Sequence, residues 1–407
     1  MPRRVKSKHQ HVASLEAELL RRVRVQGGLS RVQLARELDL APSTAGIYVD
    51  RLKREGFLLE TETTERETAG RPPTSLVPNP NGGRFIGIDF EARNLMATVV
   101  DFSQQPLRQV HKTIRPEDSA DQILSKIESA IQEMISVDSR PVLGIGVGVP
   151  GEIDPETNIA IAYDFIHGWS QVPLGDRLAK RFDVPVFLEN NIRSMALAEL
   201  WFGVGRGLWN FVCIGIRSGI AAGVVVNGQL LHGAQHRAGE IGHWNCPVPP
   251  ELDRSRKLAQ TDSGWRWVPG TQLEQVASLS AIVAAAQRGL IRKARTSLAG
   301  VKGELNADDV MSAARNGDPF SVSLVRAAGH VHGWVAHQLS ELFNPEKIIF
   351  AGPLADLGDL FLESVRETAH ELSDGSRELA IASSTLGRYN GAVGAAALAL
   401  HQWKPKR

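Results

Sequence analysis

Cysteine is nearly absent: 407 residues contain two, Cys213 and Cys246. That excludes a disulfide framework and suits a reducing cytoplasm, where thiols stay unpaired. A membrane-spanning run is lacking too, because the best apolar candidate, 212–226, is interrupted by Arg217. The basic N-terminus has no apolar h-region, so no signal peptide is expected. Nor is there an excess of one charge, since 46 Lys and Arg face 45 Asp and Glu. The balance is nevertheless uneven along the chain: residues 1–75 hold 14 basic against 10 acidic side chains, a net +4, leaving 32 against 35, a net −3, for the rest. The front is the part suited to a polyanion. At this length, with 43% apolar and 22% charged residues, two or three globular domains are expected.

Residues 1–10 are basic and almost free of apolar side chains, and read as a flexible arm. A first helix is expected over 12–26, with Leu15, Leu19, Leu20 and Val23 on one face and Gly27–Gly28 as its stop. Ser30 then caps a short helix that turns Val32, Leu34, Ala35 and Leu38 inward, and Pro42 opens another at its favoured first position. In that helix Ala45, Val49 and Leu52 face a core. Ser43, Thr44, Ile47, Tyr48 and Arg51 then point outward, where a recognition helix meets the major groove. Short hydroxyls and a tyrosine reach phosphates or base edges, and an arginine adds charge. Two short strands, 57–62 and 68–76, make a wing whose Gly-Arg-Pro tip would lay Arg71 along a minor groove, or serve as a plain linker. A winged helix-turn-helix over 1–77 is expected, with PNPNGG at 78–83 as boundary.

From residue 84 strands alternate with helices, and the scheme repeats after residue 210, which by periodicity supports an α/β architecture. The most informative stretch is 218–243, SGIAAGVVVNGQLLHGAQHRAGEIGH. An apolar strand meets an Asn-Gly hairpin turn, and the return ends on Gly-Glu-Ile-Gly-His. Glu240 accepts two hydroxyls, His243 donates or accepts one, and Gly239 and Gly242 would let backbone approach a polyol. An isolated Glu-x-x-His pair is more often a mutual cap or the cap of a helix start.

This block resembles the signature of the ROK family (repressors, open reading frames and sugar kinases). Three further matches follow in the family's order: GIGVGVPG at 144–151, ENNIRSMALAE at 189–199 and AVGAA at 392–396. The resemblance covers 84–400 and implies a two-lobed actin-like, ribonuclease-H-like sugar kinase fold over 84–407. Sugar contacts are implied at Asn190, Asn191, Glu240, His243 and Glu274, and a backbone contact at Gly151. Helix capping by Asn190 and Asn191, and a favourable helix dipole at Glu274, are the competing structural roles.

The departures from the family pattern concern catalysis. Where the family's kinases carry an aspartate base, Asn191 stands, and an amide cannot take the hydroxyl proton; the rate falls by about 10²–10⁴. The phosphate hairpin reads Asp89-Phe90-Glu91-Ala92-Arg93, the second loop Arg217-Ser218-Gly219-Ile220-Ala221, and the adenosine-side pair Gly352-Pro353. A carboxylate facing phosphates costs about 1–4 kcal/mol. The family's three zinc cysteines are also missing from 248–270, so neither zinc nor ATP is expected as a cofactor. The resulting expectation is a cytoplasmic regulator, a repressor of carbohydrate metabolism. Its partners would be operator DNA and a sugar effector, it would self-associate as a homodimer or a dimer of dimers, and it would have no catalytic residues.

Overall fold

The computed structural model describes residues 8–62, 74–253, 266–373 and 378–405. By internal contacts the chain forms two compact units, 1–189 with 392–407, and 190–391.

The first unit opens with α1 (Lys8–Gln26), α2 (Arg31–Glu37) and α3 (Pro42–Arg54), followed by β1 (Leu58–Glu62) paired antiparallel with β2 (Thr74–Pro78). Helix α1 begins at Lys8, four residues before the expected start. Ser30 caps α2 through a reciprocal box with Gln33, and Pro42 occupies the first turn of α3. Ala45, Val49 and Leu52 are buried as their spacing requires. Val32 is not: it lies 51% exposed, because the stripe of Leu34, Ala35 and Leu38 faces the other side of so short a helix. Arg71 and the rest of the wing tip fall outside the described residues, as do arm residues 1–7.

The first unit continues through β3 (Arg84–Phe90), β4 (Asn94–Asp101), β5 (Pro106–Thr113), α4 (Ala120–Ile135) and β6 (Val142–Val149). A small sheet of β7 (Glu152–Asp154), β8 (Ile159–Ala162) and β9 (Ser170–Val172) follows, then α5 (Leu174–Phe182) and β10 (Val186–Asn190). The main sheet runs β10-β6-β3-β4-β5, an antiparallel meander from β3 to β5 with β6 parallel to β3.

The second unit repeats that plan. After α6 (Asn191–Phe202), β11 (Phe211–Ile216), β12 (Ile220–Val226) and β13 (Gln229–Leu230) form a meander. Then come β14 (Asn245–Val248), β15 (Arg266–Gln272), α7 (Leu273–Ala277), α8 (Leu279–Ile291), α9 (Ala307–Arg315) and α10 (Pro319–Phe343). Strand β16 (Lys347–Ala351) pairs parallel with β11; α11 (Asp359–Leu372) and β17 (Ile381–Ser383) complete the order β13-β12-β11-β16-β17. The apolar stretch 273–291 forms two helices rather than one, because Ser278 adopts extended backbone (φ −75°, ψ 167°) and its hydroxyl accepts from the Ala281 N–H to start α8 anew.

The last helix, α12 (Asn390–Gln402), returns to the first unit. Its backbone lies flush on β3 and β6: a Cβ on Gly87 would sit 1.9 Å from the Ala392 carbonyl oxygen, and one on Gly146 1.7 Å from that of Ala395. Ala396, Ala399, Leu400 and Trp403 share one hydrophobic core with Leu19, Leu34, Val49 and Leu52 of the helix-turn-helix. The Trp403 ring meets Phe57 at 5.0 Å, Phe85 at 6.0 Å and Phe102 at 5.7 Å between centroids. Arg24 lies 4.2 Å over the Phe102 ring and donates from Nη1 to the Leu400 carbonyl, 3.1 Å away, capping the end of α12. No helix among the described residues is long and apolar enough to cross a membrane.

Candidate functional site

On α3 the expected reading face is presented to solvent. Ser43 and Ile47 are exposed, Ile47 by 69%, while Thr44 and Tyr48 are half-buried. Arg51 also has partners within the fold: Nη1 lies 2.9 Å from Glu16 Oε1 on α1, and Nε donates to Glu55 Oε1 at 3.0 Å. The Glu16 side chain is only 3% exposed, so Arg51 neutralises a carboxylate that burial would otherwise penalise. Arg31, which the pattern of the sequence did not single out, joins α2 to α3 and β1 through Asp50 (2.7 Å) and Glu60 (2.6 Å). Both bonds raise its pKa, and Arg31 together with Lys53 holds the Glu60 carboxyl down to about 2.

In the second unit the Asn227–Gly228 turn has φ of 53° and 70°, the pairing that a two-residue hairpin with right-handed twist demands. Beyond β13 the chain doubles back along β12. The Gly239 carbonyl accepts from the Ala222 N–H at 2.8 Å. A Cβ on Gly239, whose φ is +92°, would fall 1.8 Å from the Ala222 carbonyl oxygen; one on Gly242 would fall 2.5 Å from that of Ile220. These glycines are therefore required by close packing of the loop on its own strand, a demand that the sequence did not announce. Glu240 stands at the start of a one-turn 3-10 helix, 241–243, and its side chain does not cap that turn. Glu240 is half-buried and His243 exposed.

Glu274 joins them. Its Oε2 lies 3.0 Å from where a Gly242 Cβ would be and 3.2 Å from that of Gly219, so the first turn of α7 aims a carboxylate at both glycine turns. Helix α6 packs on the sheet through Gly215 and Gly223, where a Cβ would meet Ile192 and Ala196 at 2.5 and 2.3 Å. Asn190 caps it, accepting from the Ile192 N–H (2.9 Å) and the Arg193 N–H (3.2 Å), and both Asn190 and Asn191 are buried. Capping is thus realised and leaves the amide of Asn191 at the helix start. Further along α6, Glu199 is fully buried, accepts from the Val204 N–H at 3.0 Å and from the Ser384 hydroxyl, and has its pKa raised by burial despite both bonds.

In the first unit Gly151 has φ +73°, and a Cβ there would lie 2.2 Å from the Ala162 carbonyl oxygen of β8. The β3–β4 turn is closed by Glu91, which accepts from Asn94 Nδ2 at 3.1 Å and is itself buried. Asn94 Oδ1 in turn accepts from His111 Nε2 at 2.9 Å. Glu91 is thus built into the hairpin where a phosphate loop would need glycine. Back in the second unit, burial lifts the Cys246 thiol to about 12. Among the described residues no three His, Cys, Asp or Glu side chains gather as a cation site.

A winged helix-turn-helix sharing a core with the first of two lobes that repeat one plan defines a mixed α/β protein of sugar-kinase-like fold with a DNA-binding head. The family pattern described as "ROK family" matches residues 85–402, and the chain belongs to that family. A glucokinase of Halalkalibacterium halodurans is 30% identical over 321 residues, spanning 76% of this chain and 93% of its own. The DNA-binding transcriptional repressor Mlc of Escherichia coli is 26% identical over 379 residues, 91% of this chain and 89% of its own. A crystal structure of a ROK family transcriptional regulator, homolog of the E. coli MLC protein, superposes with a TM-score of 0.77 at 26% identity, covering 96% of both chains.

Proposed function

We propose that this chain is a cytoplasmic DNA-binding transcriptional regulator, a repressor of carbohydrate metabolism. In this reading its kinase-like region binds a sugar effector without phosphorylating it. The observation that carries the reading is the head itself. Helix α3 presents Ser43, Thr44, Ile47 and Tyr48 at its N-terminal half, and similarity to a regulator structure extends over 96% of the chain. Likeness to glucokinases supports the rival reading of an active sugar kinase. Against it stand the amide of Asn191 where a general base is needed and Glu91 tied into its turn. In the proposed reading Asn190, Asn191, Glu240, His243 and Glu274 receive the sugar hydroxyls, and Gly151 supplies a backbone contact. Neither zinc nor ATP is required, and a homodimer reads a two-fold operator.

The test has two arms. Duplexes retained by the protein from a random pool should carry a two-fold motif with half-sites one or more helical turns apart, and their binding should weaken steeply with salt. Glucose, xylose or N-acetylglucosamine titrated into that complex should change DNA affinity, while a coupled ADP-release assay with the same sugars stays at background. Turnover above background would establish the kinase reading, and failure to retain any duplex would remove the regulator reading.

A further inference from the structure

We propose that Arg193 is a positioning residue that fixes the Glu240–His243 loop against the start of α6, and so sets the geometry of the ligand site. The inference rests on the reading of Glu240 as a ligand residue. Arg193 follows Asn190 and Asn191 in the first turn of α6 and is only 2% exposed. Its Nη1 donates to the carbonyl of His236 at 2.8 Å. A guanidinium taken out of water costs several kcal/mol unless acceptors meet it, so its placement beneath this loop needs a return.

That return is visible in the loop. His236 is a non-glycine residue held at φ +54°, a conformation that persists only when its surroundings impose it. Three residues later Gly239 makes the contact to β12, with its carbonyl on the Ala222 N–H. The segment that delivers Glu240 is therefore pinned twice, once to α6 by Arg193 and once to β12 by Gly239. Arg193 is also tied at its other end, since its own N–H donates to the Asn190 side chain. One residue thus links the amide pair at the helix start to the carboxylate and imidazole of the loop.

Amide hydrogen exchange on the full chain, without ligand, tests the placement. In Arg193→Met, residues 232–241 should lose protection by about tenfold or more, the factor expected for one charge-assisted hydrogen bond. Strand β11 and the body of α6 should stay as protected as in the wild type. Arg193→Lys, which keeps one donor, should recover most of that protection. Unchanged loop exchange, or equal loss across β11 and α6, overturns the proposal. For whichever of glucose, xylose and N-acetylglucosamine binds the wild type, Arg193→Met should lower affinity about tenfold and add little in a Glu240→Ala background. If Glu240→Ala alone leaves sugar affinity intact, the ligand reading of Glu240 fails, while the exchange experiment still decides the role of Arg193.

Discussion

The reading face of α3 and the loop that carries Glu240 and His243 hold their functional side chains in opposite ways. On α3 the fold uses Ala45, Val49 and Leu52 and leaves the neighbouring positions outside the packing, so Ile47 stands in solvent. In the loop the backbone itself is packed: Gly239 and Gly242 touch the carbonyls of β12, and Glu240 is presented by a turn with no slack. A surface of the first kind varies at little cost in stability. One of the second kind couples binding to folding, because whatever disturbs the loop disturbs the strand beneath it.

The comparison breaks most sharply at Gly239. Alanine there must accept φ +92° and a Cβ 1.8 Å from a carbonyl oxygen, a combination that costs about 3 kcal/mol or more. Urea unfolding of Gly239→Ala should show that loss together with loss of any sugar response. Wild-type stability would mean that the loop is independent of β12.

Acid should act on the ground beneath both regions. His332 lies buried on α10 between the rings of Phe350 and Phe361, donates from Nε2 to the Ala277 carbonyl at 3.2 Å, and is pulled by burial to a pKa of about 4. The unfolded chain, with an ordinary histidine near 6.5, takes up the proton first as pH falls. Its contribution is therefore complete above about pH 6.5 and is lost progressively toward pH 4, by about 3 kcal/mol. His401 at the end of α12 is shifted in the same direction by burial and by the charge of Arg24, which brings the first unit under the same rule. Unfolding free energies measured from pH 7 to pH 4 should fall, and His332→Leu should flatten part of that slope. An unchanged slope would show that His332 is not the titrating group.

The smallest change in stability is expected on α3. Ile47→Ser should alter unfolding free energy by no more than about 0.5 kcal/mol, as for an exposed site. The same change should weaken binding to a selected duplex by about tenfold through loss of an apolar base contact. Equal affinity would remove Ile47 from the reading face.

What was legible in the sequence followed from local chemistry. Pro42 and Ser30 mark helix starts, Asn227–Gly228 marks a hairpin, and Asn190 marks a cap, each because one residue satisfies or forbids a particular backbone geometry. The alternation of strands and helices gave both meanders. Tertiary requirements left no comparable trace. Nothing local announces that Ser278 breaks a helix pattern that is apolar on both sides, or that β7 to β9, strands of three or four residues, pair at all. The glycines of the Glu240 loop looked suited to a ligand because the strand they press against is not adjacent in sequence. Arg193 was passed over for the same reason: on a helix an arginine reads as surface, and an acceptor that meets it in the interior, the carbonyl of His236, lies far along the chain. Arg51 adds the converse, a cation read from the sequence as a DNA contact that the fold also employs against Glu16.

The shared core of α12 and the helix-turn-helix has a consequence in time. Protein chains are made from the N-terminus, and domains generally fold as units while synthesis proceeds. Here α1 to α3 are made well before the two sheets, but one wall of their core is Ala396, Ala399, Leu400 and Trp403, which come far later in the chain. Until those arrive, the stacked rings of Phe57 and Phe102 lack the indole that meets both edge-on, and the Arg24 guanidinium lacks the Leu400 carbonyl. The helix-turn-helix is thus begun long before its core can close, and a chain interrupted ahead of α12 carries a head that is still open along one side.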